Sequence, residues 1–528
     1  RGHARRATTS RRRARVAVSG GVLTVGGTIT TGSATNGLFA ITGGTVTSAA
    51  VVLGAGTSSL GGGVLKTAAI QAGGSGTSSR TFAWTSGTIQ NRDASTDLVI
   101  SASGGLVLAA SGTGAKTLGV DDGRTVTVAA RITGTGGVSK IGGGTLVLSG
   151  SNDGFSGGFT LAGGTTVMGN NLAFGASGTV TLQPLTSSSV TLQAGAAVSR
   201  VANPLLFGNN TAVAIVSGTS GVVFGGGVQL SGGNRTVQNA LGGKTLEFSG
   251  TTVLGLRAAS SPRILTVSGS GTTLFSGAIV NGGTGGNSGL VVTTTGTTIL
   301  ANANTFTGTT TILRGTLRLA HAGAASASVV APFAGGTVTL AAGLQATVAG
   351  LKPLGGGLLD VGNGMLTVAG GLSASDLVVA LDAGRGDGSW NGSSGITSSA
   401  AASSGGDRTI GWLDNGDGSM TFGFAAGGDT NLDWQVDILD AGNFLAGGMF
   451  DTGVSANWNQ GDFTADGLVD ILDGANFLSA GLFDAGPYAS GAAGQSVAAV
   501  PEPAAGALGF IAAVAAAAHA ACRRPRGR

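Results

Sequence analysis

Two stretches of the sequence set oxygen-bearing side chains at a repeated spacing. Residues 429–440 carry Asp429, Asn431, Asp433, Asp437 and Asp440, and residues 462–473 carry Asp462, Thr464, Asp466, Asp470 and Asp473. The two are offset by 33 residues, and each is followed by Asn-Phe-Leu at the same distance, at 443–445 and 476–478. Oxygens fall at positions 1, 3, 5, 9 and 12, and the main-chain carbonyl of position 7 (Gln435 or Leu468) adds another. Calcium takes roughly six to eight oxygen ligands from a tight loop, and this spacing supplies them. The stretch from Asp429 to Asp484 holds ten aspartates and no Lys or Arg. Such a charge repels itself unless a cation neutralises it. A solvated acidic loop has no reason to repeat a Val-Asp-Ile-Leu-Asp core. The expected cofactor is therefore Ca2+.

Other chemistry finds few candidates. The histidines are His3, His321 and His519, far apart in the chain, and the one cysteine, Cys522, lies in an apolar segment. They do not suggest a nucleophile and base that converge. Glutamate occurs twice, as Glu247 and Glu502. Asp121-Asp122 is the one adjacent acidic pair outside the paired loops, and a polysaccharide lyase or hydrolase built on it is the enzymatic alternative. Neighbouring residues on a strand face opposite ways, and Asp-Asp-Gly reads better as a turn. The expectation is a protein that is not an enzyme.

The paired loops resemble a type I dockerin, a module of two loop–helix calcium units with Asp at position 12. The resemblance covers about 60 residues. It implies two short helices after the loops and a cohesin-like partner. Two departures concern the metal: position 6 of the first loop is Trp434 where the family has Gly, and position 3 of the second is Thr464. A side chain held at positive φ costs about 1–2 kcal/mol, so the first loop is expected to bind more weakly or to turn differently. Partner-binding positions 10 and 11 are Ile438-Leu439 and Ile471-Leu472, where the family often has Ser-Thr. These apolar pairs put a standard cohesin in doubt and suggest that they pack the two halves together.

The elements that must carry these loops are β-strands. Glycine supplies 102 of 528 residues, proline only 9, and no Gly-X-Y period is present. Runs such as Gly43-Gly44-Thr45-Val46-Thr47, Thr125-Val126-Thr127-Val128, Thr145-Leu146-Val147-Leu148 and Gly336-Thr337-Val338-Thr339-Leu340 alternate apolar and Thr between glycines. Period-2 runs of this length bounded by turn residues are strand signals. Gly144 to Gly164 is 20 residues and Gly315 to Gly336 is 21, a period typical of repeat architectures. The expected fold is all-β, a right-handed parallel β-helix over residues 17–375, with aliphatic residues stacked inside and Thr outside. A cap or linker follows at 376–425, in which Asp376-Leu377-Val378-Val379 looks like a final strand, then the small helical module at 426–486.

Two segments share more than periodicity. Residues 143–161, with Asn152 and Phe155, and 298–319, with Asn302, Asn304 and Phe306, both run strand, Asn-containing turn, aromatic, glycine and Thr-rich strand. They resemble the autotransporter-associated β-strand repeat of bacterial surface proteins, near 134–183 and 290–322. The resemblance implies a β-helical, passenger-like stalk.

Charge and hydropathy describe the ends. Seven of the 28 basic residues lie within 1–15 and four within 523–528. The chain between has 17 basic and 24 acidic residues, a net of −7, so no basic stripe for nucleic acid is expected. The tail 1–16 lacks the apolar run of a secretory signal and is taken as incomplete or as a misassigned start. After a linker at 487–499, Pro501-Glu502-Pro503 precedes 19 uncharged residues, 504–522, and an arginine cluster opening with Arg523 and Arg524. As a helix the apolar stretch spans about 28 Å, enough to cross a bilayer with the arginines inside the cell. This order at 500–528 resembles the PEP-CTERM sorting signal, which implies an exosortase-like processing enzyme. Together these readings describe an exported, non-catalytic protein of the cell surface or extracellular matrix, anchored transiently or permanently by one C-terminal transmembrane helix. The alternative is a carbohydrate-binding or cohesin-docking part of a polysaccharide-degrading system.

Overall fold

Alternation along short strands builds most of the molecule. The computed structural model describes residues 15–31, 37–73, 80–184, 188–209, 211–255, 261–283, 286–352 and 356–489. By contact the chain divides into two units, Arg1–Arg318 and Leu319–Arg528.

The first unit is a β-solenoid of parallel strands. Val126 and Val128 point inward and are buried, as are Leu146 and Leu148, while Thr125, Thr127 and Thr145 stay partly exposed. Each strand pairs with the equivalent strand of the next coil: Thr125–Val128 with Thr145–Leu148, and these with Thr165–Met168. The sheet of one face alone has 14 strands. From Arg200 the coils gain a third face. One coil runs Leu205–Phe207, Thr211–Gly218, Val222–Phe224, and the next Val228–Leu230, Arg235–Ala240, Thr245–Phe248, each strand parallel to its counterpart. Parallel stacking brings like residues into contact along the axis. Phe224, Phe248 and Phe275 form a ladder on the third face, with ring centroids 5.8 and 5.3 Å apart.

The turns are tied by buried amides. Asn152 accepts the Ile132 N–H of the preceding coil (2.7 Å) and donates to the Ala173 carbonyl of the following one (2.7 Å). Asn304 accepts the Ile279 N–H in the same way (2.7 Å). Phe155 and Phe306 are buried beside them. Two lysines point inward as well. Lys140 Nζ donates to Gly142 O (2.6 Å) and Gly163 O (2.7 Å), one in its own coil and one in the next. Burial lowers its pKa to about 8, opposed in part by the carboxylate of Asp122.

The second unit opens with coils of the same kind. Ala325–Pro332, Gln345–Leu351 and Met365–Val368 are parallel neighbours, as are Gly336–Leu340, Leu358–Asp360 and Gly395–Thr397. The stack then ends on a hairpin. Strands Thr409–Asp414 and Met420–Ala425 pair antiparallel, and the second also lies antiparallel on Met365–Val368. Among the described residues there are four α-helices: α1 (Ala374–Arg385), before the strand Gly395–Thr397, α2 (Ser399–Ala402), before the hairpin, and α3 (Ile438–Ala446) and α4 (Ile471–Ser479), after it.

Helix α1 corrects the expectation of a strand at Asp376–Val379. Ser373 caps it, its Oγ accepting the Asp376 N–H (3.1 Å), and Leu377 and Leu381, four residues apart, are the buried face. Val378 and Val379, which made the run look like a strand, face outward. Among the described residues no helix is long and apolar enough to cross a membrane. Residues 500–528, with the expected span at 504–522 and the motif residues Pro501, Glu502, Pro503, Arg523 and Arg524, lie outside the described residues.

Candidate functional site

The paired loops fold alike. Asp429 Oδ1 accepts the Asp433 N–H (3.2 Å) and Oδ2 the Trp434 N–H (3.0 Å). In the second loop Asp462 accepts from Asp466 (3.1 Å) and Gly467 (2.9 Å). Asp433 Oδ1 accepts the Gln435 N–H, and Asp466 Oδ1 that of Leu468, both at 2.9 Å. Asp437 and Asp470 are the N-caps of α3 and α4, each in a capping box with Asp440 or Asp473. Such a box satisfies main-chain donors at the helix start reciprocally and fixes where the helix begins. Asp440 and Asp473 also reach back across the loop, Asp440 to the N–H and hydroxyl of Thr430 (both 2.8 Å), Asp473 to the N–H groups of Phe463 (2.8 Å) and Thr464 (2.9 Å).

Position 6 turns the same way in both loops. Trp434 stands at φ 68° and Gly467 at φ 83°. The left-handed turn that glycine adopts freely is imposed on a tryptophan, so the expectation of a different turn is not met. The indole supplies the reason. It is buried, its Nε1 donates to Phe424 O (3.0 Å), and it packs with Met365, Leu432, Trp458 and Phe463. The first loop is thereby fixed to the hairpin. Phe444 and Phe477, from the two Asn-Phe-Leu repeats, close the same core, with centroids 5.9 Å apart.

Each loop also pairs with the segment that follows the other loop's helix. The Asp484 N–H donates to Val436 O, and the Asp451 N–H to Val469 O, both at 2.8 Å. The apolar pairs at positions 10 and 11 do not join the halves, as expected of them. Ile438 and Leu439 are 51% and 45% exposed, Ile471 and Leu472 72% and 58%. As the first two residues of their helices they point away from the aromatic core.

Electrostatics sets the loops apart from the rest of the chain. Burial raises the pKa of Asp429 to about 8 and that of Asp440 to about 6, and neighbouring carboxylates add to both. Asp462 shifts up for the same reasons. The donor set is all oxygen, the chemistry that suits calcium. Among the described residues, no three His, Cys, Asp or Glu side chains stand gathered as a group able to hold a metal. The carboxylates lie along the loops, each engaged with main-chain N–H groups.

Three surrounding residues carry no motif. The Tyr488 hydroxyl donates to Asp429 Oδ2 (2.5 Å) and accepts the Ala426 N–H (3.0 Å). The Trp458 indole donates to Asp429 O (2.7 Å). Arg385 Nη1 donates to Thr464 O (2.9 Å). Tyr488 is the chain's one tyrosine, which is the only hint the sequence offers.

Asp121 and Asp122 serve the solenoid wall. Asp121 accepts the Gln90 side-chain amide (2.8 Å), and Asp122 accepts the Gly143 N–H of the next coil (2.9 Å). Gly123 takes a φ of 71°, so the pair does form a turn.

Comparison with protein families finds the Passenger-associated-transport-repeat at residues 138–168 and 290–319. The two matched segments lie within those whose sequence resembles such a repeat. They include Lys140, Asn152 and Phe155 in the first and Asn304 and Phe306 in the second, the residues that tie coil to coil. No curated protein and no solved structure matches the chain.

Proposed function

We propose that the chain is an exported, non-catalytic protein of the cell surface or extracellular matrix, whose solenoid serves as a stalk or adhesive face and whose paired loops hold calcium. The observation that carries the first part is that passenger-associated repeats are built into a parallel β-solenoid. A solenoid gives reach from repetition, since each coil contacts only its neighbours. Protease shaving of intact cells tests this reading: release of solenoid peptides is expected, and their retention inside the cell contradicts it.

Calcium binding rests on the main-chain bonds that the two loops share at positions 1, 5, 9 and 12 and on the crowding of like charge. Asp429, Asn431, Asp433, Asp437 and Asp440, with the carbonyl of Gln435, are the residues that would hold the first ion. Asp462, Thr464, Asp466, Asp470 and Asp473, with the carbonyl of Leu468, would hold the second. The ion would supply the positive charge that the loops lack. The protein presets the main chain, because Asp429, Asp433, Asp462 and Asp466 already order N–H groups two to five residues ahead of them, and Asp440 and Asp473 order N–H groups behind them.

The sorting reading extends the export proposal: Pro501-Glu502-Pro503, the span 504–522 and the arginines from Arg523 form a signal for an exosortase-like enzyme. Mass spectrometry of the mature C-terminus tests it, since an intact Arg528 would speak for a permanent anchor.

A second reading, a docking module for a cohesin-like protein or a polysaccharide-bound partner, is favoured by the exposed pairs Ile438-Leu439 and Ile471-Leu472. Large apolar residues left in water in a symmetric arrangement suit a partner better than they suit a free surface.

A further inference from the structure

The second unit contains a cavity of about 390 Å3 between the C-terminal end of α1, α2, the hairpin and the second loop with α4. Two guanidinium groups line it, Arg385 and Arg408. Neither has a carboxylate partner among the described residues, where the ion pairs are those of Arg92, Arg124 and Arg131. Arg385 spends one N–H on Thr464 O (2.9 Å), and Arg408 one on Asp407 O (2.7 Å) while lying over the Tyr488 ring. A guanidinium has five N–H donors in a fixed fork, so most of those donors remain to be used. Both stand beside a module rich in aspartate and pair with none of it.

The rest of the wall is mixed: small residues of α2 and the loop after it, the Phe463 and Trp390 side chains, and the solvent-exposed Asp407, the one carboxylate of the lining. Asn476 and Ser479 of α4 line the cavity, as does the largely buried Trp390. The volume exceeds what a bare carboxylate fills.

We infer that this cavity binds a carboxylated sugar unit of the uronate type, its carboxylate on Arg385 and Arg408 and its hydroxyls on Asn476 and Ser479. Guanidinium suits a planar carboxylate because the two can form parallel N–H···O bonds. The inference stands apart from the calcium reading, because Arg385, Arg408, Asn476 and Ser479 are none of the residues that would hold an ion.

The test is calorimetric titration of the full chain with D-glucuronate, D-glucose and acetate. Saturable binding of glucuronate is expected, with glucose and acetate weaker by roughly tenfold or more, the value of one charge-assisted hydrogen bond pattern. Arg408→Gln should weaken glucuronate by a similar factor. Ala402→Trp, at an exposed position on the cavity wall, should abolish binding with the melting temperature unchanged. Glucuronate binding no tighter than glucose, or equalled by acetate, would overturn the assignment. So would glucuronate binding that survives both substitutions.

Discussion

The main-chain N–H of Asp484 donates to the carbonyl of Val436, so the chain that leaves α4 is paired with the first loop. Asp451, after α3, makes the same bond to Val469 in the second loop. The exchange interlocks the halves. Position 8 of each loop is held by a segment that the other loop's helix delivers, and the shared core of Trp434, Trp458 and Phe463 lies beneath. Neither loop is complete alone, so both should respond to changes made in one.

Trp434 sets two effects against each other. Replacing it with glycine relieves a positive φ worth about 1–2 kcal/mol. It also removes a buried aromatic side chain, a loss of about 3–5 kcal/mol. Burial wins, and Trp434→Gly should lower the melting temperature of the module. A rise, followed by near-ultraviolet circular dichroism, would show that the indole anchors nothing.

The apolar pairs at positions 10 and 11 should be replaceable. Because Ile438, Leu439, Ile471 and Leu472 are exposed, changing all four to Ser should alter stability only slightly, each by about 0.5 kcal/mol or less. Denaturant titration gives the value. A loss of several kcal/mol would mean that they join the two halves after all.

Asn152 should matter far more than its neighbours. Asn152→Ala leaves the Ile132 N–H and the Ala173 carbonyl buried without partners, at about 1–3 kcal/mol each. Ser151→Ala, one residue away and exposed, should stay within about 0.5 kcal/mol. Equal midpoints for the two variants in urea would contradict the role given to the turn asparagine.

Lys140 makes the solenoid's stability depend on alkaline pH. Its pKa is lowered in the folded state, to about 8, from the 10.5 of the free side chain. Between those values the unfolded chain binds more protons, so stability contributed by this group rises with pH from about 8 to about 10.5. Below that window the buried charge carries its full cost. Lys140→Met should be the more stable variant at pH 7, and the difference should shrink as pH rises through the window. A constant difference across it would show that Lys140 stays charged in the fold.

Much of the solenoid was legible because its rule is local. Thr125–Val128 and Thr145–Leu148 alternate between glycines, and alternation in a half-buried strand needs no distant information. The start of the third face was not legible, since its first strand, Arg200–Val201, is too short to show any period. Asp376–Val379 misled because an apolar triplet fits a strand as well as a helix. What decided the matter was the Ser373 cap and the four-residue step from Leu377 to Leu381. The loops were legible as spacing, since their Asp-to-main-chain bonds span at most ten residues. Their surroundings were not: Tyr488 and Asp429 are 59 residues apart, Trp458 and Asp429 are 29, and nothing local marks either pair.

The central claim, that two equivalent loops hold calcium, is tested most directly by thermal unfolding of the full chain with and without calcium. The account predicts a transition that moves to higher temperature as calcium is added, two ions bound per chain by native mass spectrometry, and loss of part of the shift in Asp440→Ala or Asp473→Ala. Unfolding that is unchanged by millimolar calcium, with no ion bound, would contradict it.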